Sequence, residues 1–89
     1  MKVRVHYWHQ LREARGVDEE SLQLDQGATV ADLLDQVSQP TELRSLMYDH
    51  QGQLAPWILI DHDGKMIRDT SLPLSDGDEI RLLSHISGG

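Results

Sequence analysis

The chain has 89 residues, 38% of them hydrophobic, and eight basic against fifteen acidic residues leave a net charge of −7. That length suits one domain, 1–89, with one modest core, and the longest apolar stretch, Ala55 to Ile60, falls far short of the ~18 residues a membrane-spanning helix needs. The acidic balance argues against nucleic-acid binding, which relies on Lys and Arg neutralising phosphates; it suits a protein partner with a basic face. Cysteine is absent, which removes disulfides, thiolate metal sites and thiol nucleophiles together. Met1-Lys2 leads into alternating polar and apolar residues rather than an apolar signal core, so a cytoplasmic location is expected, with no membrane partner.

From Lys2 to Trp8, Val3, Val5 and Tyr7 alternate with Lys2, Arg4, His6 and Trp8, the pattern of a half-buried strand. Gln10 to Arg15 predicts a short helical turn ending at Gly16. Glu20 to Asp25 alternates again, with Leu22 and Leu24 inward, as a second strand. Val30, Leu33, Leu34 and Val37 then fall at i, i+3, i+4 and i+7, one apolar helical stripe. Thr29 can cap that helix and Asp32 can complete a capping box, while Pro40 ends it. Thr41 to Met47 predicts a second short helix through Leu43, Leu46 and Met47, and Asp49 to Gln53 an exposed loop. Pro56 to Ile60 is continuous and apolar, as in a central strand covered on both faces. Asp63-Gly64 signals a turn, with Lys65 to Arg68 returning as a short edge strand. Asp76-Gly77 signals another turn, before Glu79 to Ser84 alternates around Ile80 and Leu82. Strands bracketing one main helix make an α+β class, a single mixed sheet packed on that helix.

Few residues suggest chemistry. Asp61-His62-Asp63-Gly64 resembles the start of a calcium loop, but the twelfth position from Asp61 is Leu72 where an EF-hand carries Glu; a solvated hairpin turn is the better reading. His6 and His9, three apart on a strand, point to opposite faces, so no metal site is expected. Trp8 lies on the outward face of the first strand, where it either packs under a neighbouring element or anchors an interface, a role in which Trp is enriched. No phosphate-binding loop, dinucleotide fingerprint or nucleophile elbow occurs, and an enzyme acting alone is not expected.

The chain ends Ile86-Ser87-Gly88-Gly89. Two closing glycines arise by chance in about 0.5% of chains at ordinary usage, and their chemistry is specific. A terminus without Cβ atoms can thread a narrow channel and present its carboxylate. Joined to AMP, that carboxylate gains a leaving group, and a sulfur or nitrogen nucleophile can attack its carbonyl carbon.

Three segments in order resemble the ubiquitin-like sulfur carriers of the MoaD/ThiS family, closer to the MoaD branch, the small subunit of molybdopterin synthase. They are Leu11-Arg12-Glu13-Ala14-Arg15-Gly16, then Gly27-Ala28-Thr29-Val30-Ala31-Asp32-Leu33-Leu34, and finally Leu74-Ser75-Asp76-Gly77-Asp78-Glu79-Ile80 followed by the terminal Ile86-Ser87-Gly88-Gly89. The resemblance implies a β-grasp fold of four to five strands on one main helix, with a tail over 85–89. It implies that a ubiquitin-activating-type adenylating enzyme (MoeB/ThiF-like) uses ATP and magnesium to form an acyl-adenylate on Gly89, assisted by the slender Gly88, and that a sulfur donor converts it to a thiocarboxylate. The chain itself would hold no stable cofactor. The sulfur would pass to an acceptor such as the large subunit of molybdopterin synthase. Trp8, Leu74 and Leu83 on the exposed sheet face, with Ile86 and Ser87 in the tail, are the implied partner-binding residues.

Leu83-Ser84-His85 stands where the MoaD branch often carries an aromatic-Pro-Pro run, and Ile60-Asp61-His62-Asp63-Gly64 replaces its Val-Asn-Gly-like turn. The acceptor pathway therefore stays open to thiamine, thiolated tRNA or sulfur amino acids. A protein modifier joined to lysine through Gly89, and a non-covalent interaction domain, are the competing readings.

Overall fold

Alternation works as expected at the first strand of this computed structural model, which describes residues 1–84. In β1 (Lys2–Tyr7), Val3, Val5 and Tyr7 are buried and the residues between them face out. The strand stops one residue earlier than its pattern suggests, because Trp8 is already the N-cap of α1 (His9–Arg15). This helix is a full element of seven residues, held by the buried Leu11 and closed by Gly16, whose φ of 89° lets its N–H reach the Arg12 carbonyl. A side chain at that φ would be strained.

The next strand, β2 (Glu19–Gln23), begins and ends slightly before the predicted stretch. Leu22 and Leu24 both go inward as expected, Leu24 from just beyond the strand. α2 (Val30–Val37) carries the predicted stripe, with Val30, Leu33, Leu34 and Val37 all buried; each such side chain contributes roughly 1.5–3 kcal/mol of transfer free energy. The Thr29–Asp32 capping box forms in both directions. Ser38 closes the helix, and Pro40 serves as N-cap of α3 (Thr41–Met47), whose Leu43 and Met47 are buried.

The third strand departs from expectation. β3 (Ile58–His62) starts two residues later than the apolar run, since Pro56 has no N–H to pair and the Trp57 indole turns aside to donate to the Leu46 carbonyl at 3.1 Å. Ile58 and Ile60 are buried but Leu59 is only half-buried, so the strand is covered on one face rather than two. A tight turn with Asp63 at φ 52° and Gly64 at φ 91° leads to β4 (Lys65–Ile67), and β5 (Glu79–Ser84) closes the sheet. These two positive φ values fit the primed turn that the Asp-Gly pair predicts.

The sheet order is β2-β1-β5-β3-β4. β1 and β5 run parallel side by side, with Val5 opposite Ile80, while the other neighbours are antiparallel. The first and last strands thus lie together in the middle, and the α2 stripe joins their inward residues in one core. The segment between β4 and β5 is tied to the start of α2 by Ala31 N–H to Thr70, Val30 N–H to Leu72 and Leu74 N–H to the Ala28 carbonyl.

A polar clasp joins α1 to this frame. Arg15 donates to both oxygens of Glu20, at 2.6 and 3.1 Å, and to the Val37 carbonyl at 3.3 Å, while the Tyr7 hydroxyl donates to Glu20 at 2.6 Å. Burial, reinforced by the Glu20 carboxylate, pushes the Tyr7 phenol above its ordinary value. The Arg15 hydrogen bonds hold Glu20 below its own.

Candidate docking face beside the outgoing strand

Because β5 sits between β1 and β3, its outward residues occupy the middle of the uncovered sheet face. Reading across the strands, Glu19 meets Arg4 at 2.9 Å and His6 Nδ1 at 3.1 Å, and His6 Nε2 lies 3.7 Å from Glu79. Arg81 then bridges Glu79 at 3.2 Å and Asp61 at 3.4 Å. These exposed or half-exposed pairs each add little to stability, but Arg4 and Arg81 offset two of the three carboxylates. The chain's excess acidity is therefore not concentrated on this face.

The apolar part of the face lies toward the exit of the chain. Leu83 and Leu59 stand opposite each other in register and are both half-buried. Trp8 is 46% exposed, and its backbone N–H donates to the Leu82 carbonyl at 3.1 Å, which sets it beside the end of β5. Its side chain borders a shallow hollow of about 190 Å³ with His6, Arg12 and Glu19. The ring of His9, a residue held at φ 55°, packs at a tilt against the Trp8 ring with centroids 6.5 Å apart. The choice left open by sequence between a packed and a presented Trp8 is thus resolved: it is presented.

Leu74 corrects the sequence reading. It is 5% exposed and belongs to the core, because its N–H bond to Ala28 draws it beneath the start of α2. It offers no surface to a partner. Trp8, bonded through its N–H to Leu82, and the adjoining Leu83 lie at the same end of β5, while Ile86, Ser87, Gly88 and Gly89 lie outside the described residues. Sequence reasoning missed Leu59, since the apolar run around it suggested burial on both faces. It also missed the groove of about 650 Å³ that Trp57 forms with Tyr48, Arg44 and His50.

The Asp61-His62-Asp63-Gly64 stretch behaves as a turn, with Asp61 accepting the Gly64 N–H at 2.9 Å. The third resembling segment is a seat for β1: Asp76 accepts the Lys2 N–H at 2.7 Å and Gly77 donates to the Lys2 carbonyl at 2.8 Å. Asp78 is opposed by its own desolvation, but the Ser75 N–H and His62 outweigh this and hold its carboxyl below the ordinary value.

A mixed five-stranded sheet with parallel first and last strands, one covering helix and a central strand that leads into the terminal residues defines a ubiquitin-like β-grasp protein. The model of the ThiS family matches residues 5–89, and the chain belongs to that family of ubiquitin-like sulfur carriers.

Among solved structures, small archaeal modifier protein 1 from Haloferax volcanii is similar at 27% identity and a TM-score of 0.89, with 100% of both chains covered. The protein of the same name from Methanosarcina acetivorans is 31% identical with a TM-score of 0.81, covering 99% of this chain and 96% of its own. A putative molybdopterin converting factor subunit 1 from Pyrococcus furiosus is 26% identical with a TM-score of 0.77, covering 97% and 99% respectively. No curated protein matches the sequence at the significance applied. Among the described residues, no helix is long and apolar enough to cross a membrane.

Proposed function

We propose that this chain carries sulfur as a thiocarboxylate on Gly89 and donates it in a biosynthetic pathway, foremost the synthesis of molybdopterin. The observation that carries the reading is the ThiS-family match over residues 5–89, which includes the terminal Gly88-Gly89. In the first step the Gly89 carboxylate attacks the α-phosphate of ATP on a partner adenylating enzyme, with magnesium, releasing pyrophosphate and leaving an acyl-adenylate. A sulfide equivalent then attacks the carbonyl carbon and AMP departs, leaving the thiocarboxylate. Neither step needs a catalytic side chain from this chain, so the chain acts as a carrier and its partners as the enzymes. The docking face around Trp8, Leu83 and Leu59 would bind those partners in turn, holding the terminus at each active site. The name of the Pyrococcus furiosus relative, subunit 1 of a converting factor, supports a second subunit as the acceptor.

The two small archaeal modifier proteins, at 27% and 31% identity, favour a second reading in which a lysine amine attacks the same acyl-adenylate and forms an isopeptide. Reconstitution separates the two. The chain is incubated with its adenylating enzyme, ATP, magnesium and sulfide, and its C-terminal fragment is weighed. Gain of one sulfur for one oxygen supports the carrier. Persistent carboxylate under these conditions, with tryptic Leu82–Gly89 remnants on lysines of cellular proteins, supports the modifier.

A further inference from the structure

The β3–β4 hairpin and the start of β5 bring together three groups that are distant in sequence. His62 Nε2 lies 2.8 Å from Asp78 Oδ2 and 3.6 Å from Asp63 Oδ2. All three donor atoms fall within 4.8 Å of one another. We propose that His62, Asp63 and Asp78 form a binding site for one divalent first-row transition ion, of the zinc class, that pins the β3–β4 hairpin to the residue just before β5. This goes beyond sulfur carriage and does not depend on it.

The two spacings measured from His62 Nε2 fit a metal. Zinc bonds to His nitrogen and carboxylate oxygen run about 2.0–2.2 Å, which places adjacent ligand atoms of a tetrahedral or octahedral set roughly 2.9–3.6 Å apart; 2.8 and 3.6 Å bracket that range. Both carboxylates are also held by backbone N–H groups. The Ser75 N–H holds Asp78 Oδ2 at 2.8 Å, and the Glu79 N–H holds Asp63 Oδ1 at 2.8 Å, leaving Asp63 Oδ2 turned toward the imidazole. His62 and Asp78 have side chains only 18% and 15% exposed, while Asp63, at 51%, leaves the site open to solvent from the hairpin side. One imidazole with two carboxylates suits zinc, cobalt or nickel in preference to calcium or magnesium, which take all-oxygen sets. Solvent water would complete the coordination. Binding requires the unprotonated His62 Nε2, so it displaces the His62–Asp78 hydrogen bond rather than adding to it.

The test is a titration of the full chain with zinc chloride, followed by calorimetry and by NMR of histidine rings and backbone amides. The expected result is one ion per chain, with the His62 ring and the Asp63 and Asp78 amides shifting together. His62→Gln and Asp63→Asn should each weaken binding at least tenfold, and His50→Gln should leave it unchanged. Asp63→Asn keeps the comparison interpretable, because Asn accepts the left-handed φ at the exposed turn and the variant should retain the native spectrum elsewhere. Absence of saturable binding, shifts centred on another histidine, or a loss below tenfold in either variant overturns the proposal.

Discussion

Trp8 and Leu74 show how differently two apolar residues with the same implied role are placed. Trp8 is 46% exposed and its ring packs against His9, so its truncation removes exposed apolar area and little core. Trp8→Ala should weaken binding to the adenylating enzyme roughly tenfold or more while the thermal midpoint scarcely moves; calorimetric binding and a melting curve on the same sample check both halves. Leu74 is buried against α2, and Leu74→Ala should cost about 2–4 kcal/mol of unfolding free energy, read from the urea midpoint. Its exposure was illegible in the sequence because it precedes β5 in a segment with no periodicity of its own. Only the tie from its N–H to the Ala28 carbonyl decides which way it faces. Trp8 was ambiguous for a related reason, lying where strand alternation hands over to a helix cap.

At the scale of elements, the strongest periodic signals were legible and the weakest were not. The stripe and capping box of α2 follow directly from Thr29, Asp32 and the four buried aliphatics. The apolar run at Pro56–Ile60 misled because continuous apolarity does not distinguish burial on two faces from burial on one beside an aromatic side chain that docks elsewhere. The role of Arg15 was also hidden, since its partners Glu20 and Val37 come from two other elements.

That clasp predicts an acid response. Glu20 is held below its ordinary 4.5 by Arg15, and Asp78 below its ordinary 3.8 by the Ser75 N–H and His62, against desolvation. A depressed carboxyl binds fewer protons in the folded chain than in the unfolded one, so its stabilisation is complete above the unfolded value and is lost as the pH falls through the folded value. The urea midpoint should therefore decline as the pH drops below 4.5. Glu20→Gln, which cannot ionise, should flatten the upper part of that decline. An unchanged slope in the variant would remove Glu20 from the account.

For the whole molecule, the net charge does not describe the candidate docking face. The chain carries −7, yet the docking face is laced with paired charges from Arg4 through Glu19, His6, Glu79 and Arg81 to Asp61. Docking through the Trp8–Leu83–Leu59 apolar end, as proposed, would rest on shape more than on a uniform field. The fold class and the mixed sheet were readable from the order of elements, whereas the parallel pairing of β1 with β5 appears only in the folded sheet. Of the proposed metal cluster, His62 and Asp63 stood out in the sequence but Asp78 did not, because it meets His62 only in the folded chain.

The central claim is that Gly89 carries sulfur, and the most direct measurement is mass spectrometry of the tryptic C-terminal fragment from protein isolated from its own cells and alkylated at once to trap any thiocarboxylate. Cleavage after Arg81 leaves Leu82 to Gly89, a fragment without methionine, so oxidation of Met1, Met47 or Met66 cannot imitate the exchange of oxygen for sulfur. The account predicts that exchange, localised to Gly89. A fragment bearing only the ordinary carboxylate, from cells in which the acceptor pathway is active and with a trapped thiocarboxylate standard recovered intact, would contradict it.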